Sequence, residues 1–268
     1  MLLADYHMHT EESFDGSYKA DDMLRAAVTA GMRAVALTDH CDLGSPAFYD
    51  PFDIDVKRQR RKYDAVAPLF ADRLDVRFGL ELGQPNQQPE KAEQILRETE
   101  FDFVIGSLHN LRGERDFYFL DYHSLDVPAL LSRYFDELIE MVEQDFDVLG
   151  HLSYPWRYLS EAGMKQPWEN YEEQIRLIYR RLIETGRGIE INTSGLRMSM
   201  GVTMPDLPLV RLYRELGGEI VTIGSDAHEP AHVGSGIRRG AALAREAGFS
   251  HIALYRGRKP QFVPITED

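Results

Sequence analysis

The residues with most chemistry in them recur at short, regular spacings. His7 and His9 are two apart, as are Asp226 and His228, and His40, Glu81, His109 and His151 fall between the two pairs. Neutral imidazole and carboxylate are donors for zinc, iron or manganese, while a chain with one cysteine cannot build a thiolate zinc site. Alternate side chains of a strand share a face, so His7 and His9 point together, and Asp226 and His228 do so if their strand extends that far. A carboxylate can bridge two cations, which makes Glu81 the candidate bridge. Seven or eight such ligands imply two or three divalent ions rather than one. Any one of these histidines by itself would be read as a hydrogen-bonded core or surface residue. The argument for a metal site rests on their joint placement.

That placement follows from the elements around them. Short apolar, β-branched runs are expected as strands at Leu2–His9, Ala34–His40, Val76–Leu82, Phe103–His109, Val148–Leu152, Gly188–Asn192 and Ile220–Asp226, with a last one at His251–Arg256. Amphipathic stretches at Asp21–Ala30, Val127–Gln144, Glu169–Glu184 and Leu207–Leu216 alternate with them. Gly31, Gly186 and Gly217 stand where left-handed helix ends favour glycine. Alternating strand and helix implies an α/β fold with a mostly parallel sheet, either closed into a barrel or open and doubly wound. A barrel carries its chemistry at the C-terminal ends of the strands. Six of the nine histidines lie at such ends, where chance would put fewer than about one. Segments Cys41–Pro51 and Arg112–Asp126 read as loops over that face. No linker or repeat divides the chain, so residues 1–268 are expected to form a single domain.

Composition narrows the class of ligand. A formal charge of -14 argues against a general nucleic-acid binder, which needs clustered Lys and Arg. The basic run Arg58–Lys62 has acidic neighbours and reads as a solvated helix face. An acidic protein that handles a phosphorylated small molecule must neutralise it locally, with cations and a few placed arginines. No stretch reaches the length of a membrane span. The lone Cys41 and the lack of a basic leader before an apolar region fit a cytoplasmic chain. Cys41 itself reads as a buried, inert thiol, so Cys41→Ser is expected to keep most of the activity, as steady-state rates would show.

The motifs Asp5-Tyr6-His7-Met8-His9-Thr10, Leu37-Thr38-Asp39-His40, Gly79-Leu80-Glu81, Ile105-Gly106-Ser107-Leu108-His109, Gly150-His151 and Gly224-Ser225-Asp226-Ala227-His228 together resemble the polymerase and histidinol phosphatase (PHP) family. The resemblance implies a distorted (β/α)7 TIM-like barrel with three metals at its C-terminal face. It assigns His7, His9, Glu81 and Asp226 to a first metal and Glu81, His109 and His151 to a second. The third would take His40, His228 and a residue just past the first strand, for which this chain offers Asp15. Ser153–Tyr158 and Glu190–Arg197 look like the histidinol-phosphatase branch. Arg157 and Arg197 follow the fifth and sixth strands, and guanidinium forks match phosphate oxygens bidentately. His123 is a further candidate substrate contact, and Asp39 either fixes an imidazole or caps a turn.

The implied activity is a phosphomonoesterase acting on L-histidinol phosphate in histidine biosynthesis. Glu81, Asp226, Arg157 and Arg197 are its candidate catalytic residues. A hydroxide shared by two metals would attack phosphorus in line, without a phosphoenzyme. The alternatives are another small phosphate ester, a nucleotide or a phosphotyrosine as substrate, and, more distantly, amide or lactone hydrolysis. Enzymes of that last class commonly place a lysine between metals, and no expected strand here ends in one.

Overall fold

The computed structural model describes residues 2–44 and 55–266. Strands β1 (Ala4–Asp5), β2 (Ala34–Leu37), β4 (Asp75–Gly83), β5 (Phe103–Ser107), β6 (Val148–Leu149), β7 (Gly188–Asn192) and β8 (Val221–Gly224) lie side by side in that order, all parallel. Strand β3 (His40–Asp42) takes up the line of β2 after a break at Thr38 and Asp39, and pairs His40 with Glu81 on the upper half of β4. The two ends of the sheet meet. Tyr6 N donates to Ile223 O at 2.9 Å and Asp226 N to His7 O at 2.8 Å, and Met8 bridges Ala227 in the parallel sense. With β2 and β3 counted as one position, seven strand positions close into the expected distorted barrel.

Helices α1 (Ala20–Thr29), α2 (Val56–Val66), α3 (Pro89–Glu98), α4 (Val127–Met141), α5 (Tyr154–Glu161), α6 (Glu172–Glu184), α7 (Leu207–Glu215) and α8 (Ile237–Glu246) cover the outside. α4 shows why they stay there. Its 15 residues bury Leu131, Tyr134, Phe135 and Leu138 on one stripe, each contributing about 1.5–3 kcal/mol relative to exposure, and Asp126 caps its start by accepting from Ala129 N. Gly31, Gly186 and Gly217 do end helices, with φ of 77°, 69° and 99°. No helix among the described residues is long and apolar enough to cross a membrane.

Several boundaries differ from the sequence expectation. Pairing in β1 stops at Asp5, so His7 and His9 lie past the ladder, on backbone held by the bonds that close the barrel. β6 keeps two residues, and Gly150 after it passes so close to β5 that a Cβ there would stand 2.6 Å from Ser107 Oγ. Cys41 and Asp42, expected at the start of a loop over Cys41–Pro51, belong to β3 instead, and residues 45–54 lie outside the described ones. The strand β9 (His251–Arg256) does not extend the barrel; it forms a separate antiparallel hairpin with β10 (Lys259–Pro264), which the sequence reading missed. The hairpin turns at Gly257 and Arg258, both at positive φ (53° and 61°), as a two-residue primed turn requires. Arg258 then anchors it through Nε to Asp147 at 2.9 Å.

Candidate metal centre

Seven of the nine candidate ligands are buried at the C-terminal ends of the strands, and loops bring in the rest. Glu81, on the last third of β4, is 1% exposed and stands at the centre. Its two oxygens face different groups. Oε2 is 3.1 Å from His7 Nε2 and 3.5 Å from His9 Nε2, and Asp226 Oδ1 completes that side at 3.4 Å from His9 Nε2. Oε1 is 2.8 Å from His151 Nε2 and 3.2 Å from His109 Nε2. A third group joins Asp15 Oδ2 to His228 Nε2 at 2.8 Å and to His40 Nε2 at 3.6 Å, with His9 close by. His40 Nδ1 also lies 3.1 Å from Glu81 Oε2, so all three groups touch through few residues.

These separations suit cations. Donors about 2.0–2.2 Å from a metal stand roughly 3–3.5 Å from each other, as most of these do. The buried Nε2 atoms of His7 and His9 have no hydrogen-bond partner, although carboxylate oxygens are near. Their other nitrogens explain why. His7 Nδ1 lies 2.7 Å from Glu190 Oε1, and His109 Nδ1 lies 2.9 Å from Asp42 Oδ2, so a carboxylate receives each Nδ1 proton. Ser13 Oγ lies 3.1 Å from His9 Nδ1 and donates its own proton to Asp39 at 2.8 Å, so His9 Nδ1 must be the donor to it. Once neutral, all three imidazoles thereby present an Nε2 lone pair to the centre, the arrangement by which outer carboxylates orient metal-binding histidines. Asp39 reaches its imidazole through a serine, while also holding Thr10 N and Oγ1.

Glu190 and Asp42 were not singled out from the sequence. Each could have been: Glu190 interrupts the otherwise apolar Gly188–Ile191 run, and Asp42 alternates with His40 along one strand. The backbone leaves no room beside them. A Cβ on Gly224 would stand 2.3 Å from His7 Cβ and 2.4 Å from Glu190 Oε1.

Burial alone would lower the pKa of His7, but Glu190, Glu81 and Asp226 outweigh it and raise the ring well above its usual value. Burial is likewise overcome at His109, where Asp42 and Glu81 push the pKa up to about 10. His9 goes the other way: burial, then His228 and His40, push it down to about 3. Glu81 and Asp226 are held well below the usual carboxylate range against burial, Glu81 by His7, His40 and His109, and Asp226 by His7, His9 and His228. The metal-free chain therefore binds an extra proton at His109 relative to the unfolded chain. Because that pKa is raised above 6.5, its contribution to stability is complete below pH 6.5 and is lost as pH rises through about 10. Metal binding must displace the same proton, so metal affinity should rise over that window. Melting curves of stripped and reconstituted protein, together with metal titrations at several pH values, check both signs.

The centre opens into a cavity of about 440 Å³ that also includes Asp116, Tyr118, Phe119, Tyr154, Arg157, Tyr158, Arg197 and Met198. Arg157, in the first turns of α5, lies over the Tyr158 ring at 5.2 Å, and its buried Nε has no hydrogen-bond partner. Arg197 is more committed than the sequence implied. Its two terminal nitrogens donate to the carbonyls of Ser225 and Asp226, both at 2.7 Å, so it holds the turn on which Asp226 sits at φ 54°. That turn also corrects the notion that Asp226 and His228 continue a strand, which ends at Gly224. His123 is a second correction: it is exposed on a short turn after Asp121 and does not line the cavity. Cys41 is fully buried, and burial pushes its thiol up. The basic run is paired with acids, Arg58 with Glu12, Lys62 with Glu11 and Glu12, Arg60 with Asp64 and Arg61 with Asp55.

Known proteins are similar to this chain along nearly its whole length. A probable histidinol-phosphatase of Deinococcus radiodurans is 29% identical over 270 residues, covering 97% of this chain and 98% of its own. A histidinol-phosphatase of Lactococcus lactis subsp. lactis is 24% identical over 262 residues, covering 97% and 96%. The crystal structure of histidinol phosphate phosphatase from that bacterium, complexed with zinc, L-histidinol and phosphate, superposes with a TM-score of 0.86 at 22% identity, covering 97% of this chain and 98% of the other. Residues 5–194, from the carboxylate before the first histidine pair to just past β7, match the PHP domain family, and with the barrel and its histidine-lined face the chain belongs to that family.

Proposed function

We propose that this chain is a metal-dependent phosphomonoesterase that hydrolyses L-histidinol phosphate to L-histidinol and phosphate, a step of histidine biosynthesis. The observation that carries the reading is a carboxylate, Glu81, with separate histidine groups on its two oxygens, at the floor of a cavity whose wall holds Arg157 with a buried Nε that has no hydrogen-bond partner among the described residues. The names of relatives that match end to end support the substrate.

Two or three divalent ions would be held, one by His7, His9, Glu81 and Asp226, one by Glu81, His109 and His151, and one by Asp15, His40 and His228. Zinc is among the candidates, as the Lactococcus lactis structure contains it. Bound there, such ions supply Lewis acidity toward water and toward phosphoryl oxygens. The protein's own part is orientation and charge. Glu190, Asp42 and the Ser13–Asp39 pair keep protons on the Nδ1 atoms of His7, His109 and His9, so that no imidazole can turn its lone pair away. Arg157 binds the phosphoryl group by its fork and stabilises the charge that grows on it. Arg197 holds the Asp226 turn from the same wall. Asp226, held ionised by its histidine neighbours, suits a metal ligand rather than a proton donor.

The test is a panel of phosphomonoesters on metal-reconstituted protein. L-Histidinol phosphate should exceed generic esters in kcat/KM by about 100-fold or more, since buried polar groups discriminate strongly against ligands that leave them unpaired. Parity across the panel would remove the narrow substrate and leave a general phosphoesterase; no turnover of any ester would remove both.

A further inference from the structure

The cavity is lined by four carboxylates among the described residues, Asp15, Glu81, Asp116 and Asp226. Three of them belong to the donor groups at its floor. Asp116 does not. The segment after β5 folds back on itself, with Asn110 bridging Asp116 and Phe117 N donating to His109 O at 2.9 Å, and this brings Asp116 beside the end of the strand that carries His109. Its Oδ1 accepts from Tyr118 N at 2.7 Å and so shapes the turn Phe117–Phe119. Aromatic rings line the same cavity: Tyr118 and Phe119 are 63% and 45% exposed, their rings meet edge-on at 4.9 Å, and Phe14, 49% exposed, lies 4.8 Å from the His40 ring.

We propose that Asp116, with Tyr118, Phe119 and Phe14 around it, is the subsite that selects phosphate esters whose alcohol carries a positive charge, as the ammonium or imidazolium of L-histidinol does. The inference rests on the proposed phosphatase reading and adds the basis of its selectivity. The physical argument is charge bookkeeping along one ligand. Arg157 serves the anionic end, and Arg197 is committed to the carbonyls of Ser225 and Asp226. A half-buried carboxylate on a cavity wall is more favourable with a cation beside it, and burial does raise the Asp116 pKa. The aromatic faces attract the same cation and stack on an imidazole ring. A neutral alcohol would leave Asp116 uncompensated, so the residue favours one class of leaving group and disfavours another.

The experiment compares L-histidinol phosphate with glycerol 3-phosphate, an alkyl ester without a cation, on wild type, Asp116→Asn and Asp116→Glu, each reconstituted with metal and checked for metal content and melting. Asparagine keeps an oxygen for Tyr118 N, so the turn should survive. Asp116→Asn should lower kcat/KM for L-histidinol phosphate about 10- to 100-fold, mainly through KM, with glycerol 3-phosphate changed by no more than about twofold. Asp116→Glu should recover part of the loss. A ratio between the two esters that is unchanged in Asp116→Asn, whether both rates fall or neither does, overturns the subsite alone. A wild type that does not prefer L-histidinol phosphate overturns the functional reading and the subsite with it.

Discussion

Glu81→Gln lowers kcat/KM for any phosphomonoester the enzyme accepts by about 1,000-fold or more, while the melting temperature of the chain stays close to that of the wild type. The substitution keeps the shape of the side chain and removes one charge. That charge faces His7 and His9 through Oε2 and His109 and His151 through Oε1, so two donor groups lose their shared carboxylate at once. Metal analysis after reconstitution should show fewer ions per chain than in wild type. Glu81 lies on β4, the longest strand of the barrel, paired on both sides, and the ladder does not depend on the carboxylate. Near-normal turnover with a full metal complement would remove Glu81 from the centre.

Arg157→Ala gives the second large loss, about 100- to 1,000-fold in kcat/KM, the size expected when a donor aimed at developing charge is removed. The fall should appear in kcat as well as KM, because a guanidinium that stabilises the phosphoryl oxygens does so most as their charge grows. Arg157→Lys should recover little, since an ammonium cannot present a planar fork and does not stack on Tyr158 in the same way. Arg197→Ala provides the contrast. Arg197 holds the carbonyls of Ser225 and Asp226, so its removal should reduce metal retention, whereas Arg157→Ala should leave metal content unchanged. Equal metal loss in both variants would mean that Arg157, too, acts through the turn rather than on the phosphate.

Residue types and their order were enough to read the donors. Histidines and carboxylates recur at the ends of apolar runs because a parallel barrel gathers strand ends on one face, and that regularity is visible without coordinates: His7, His9, His40, Glu81, His109, His151, Asp226 and His228 were all found this way, and the structure brings them together with Asp15. Strands β7 and β9 were also read to the residue, since their apolar runs are bounded by glycine or polar residues. The hairpin partner β10 escaped, because Lys259–Pro264 is mostly exposed and lacks an alternating apolar pattern.

What the chain order could not reveal is direction and commitment. Which nitrogen of His7 faces the centre depends on Glu190, 183 residues away, and which nitrogen of His109 does so depends on Asp42, 67 residues away. Arg197 looked like a phosphate clamp until its nitrogens were found on two carbonyls, and His123 looked like a contact until its turn proved to face solvent. Asp116 drew no notice in the sequence, as one acid among many in a loop. Composition and period decide which residues a fold carries to its active face, because they set the strand pattern. The hydrogen bonds that aim those residues join parts of the chain far apart in sequence, and they exist only once the barrel has closed.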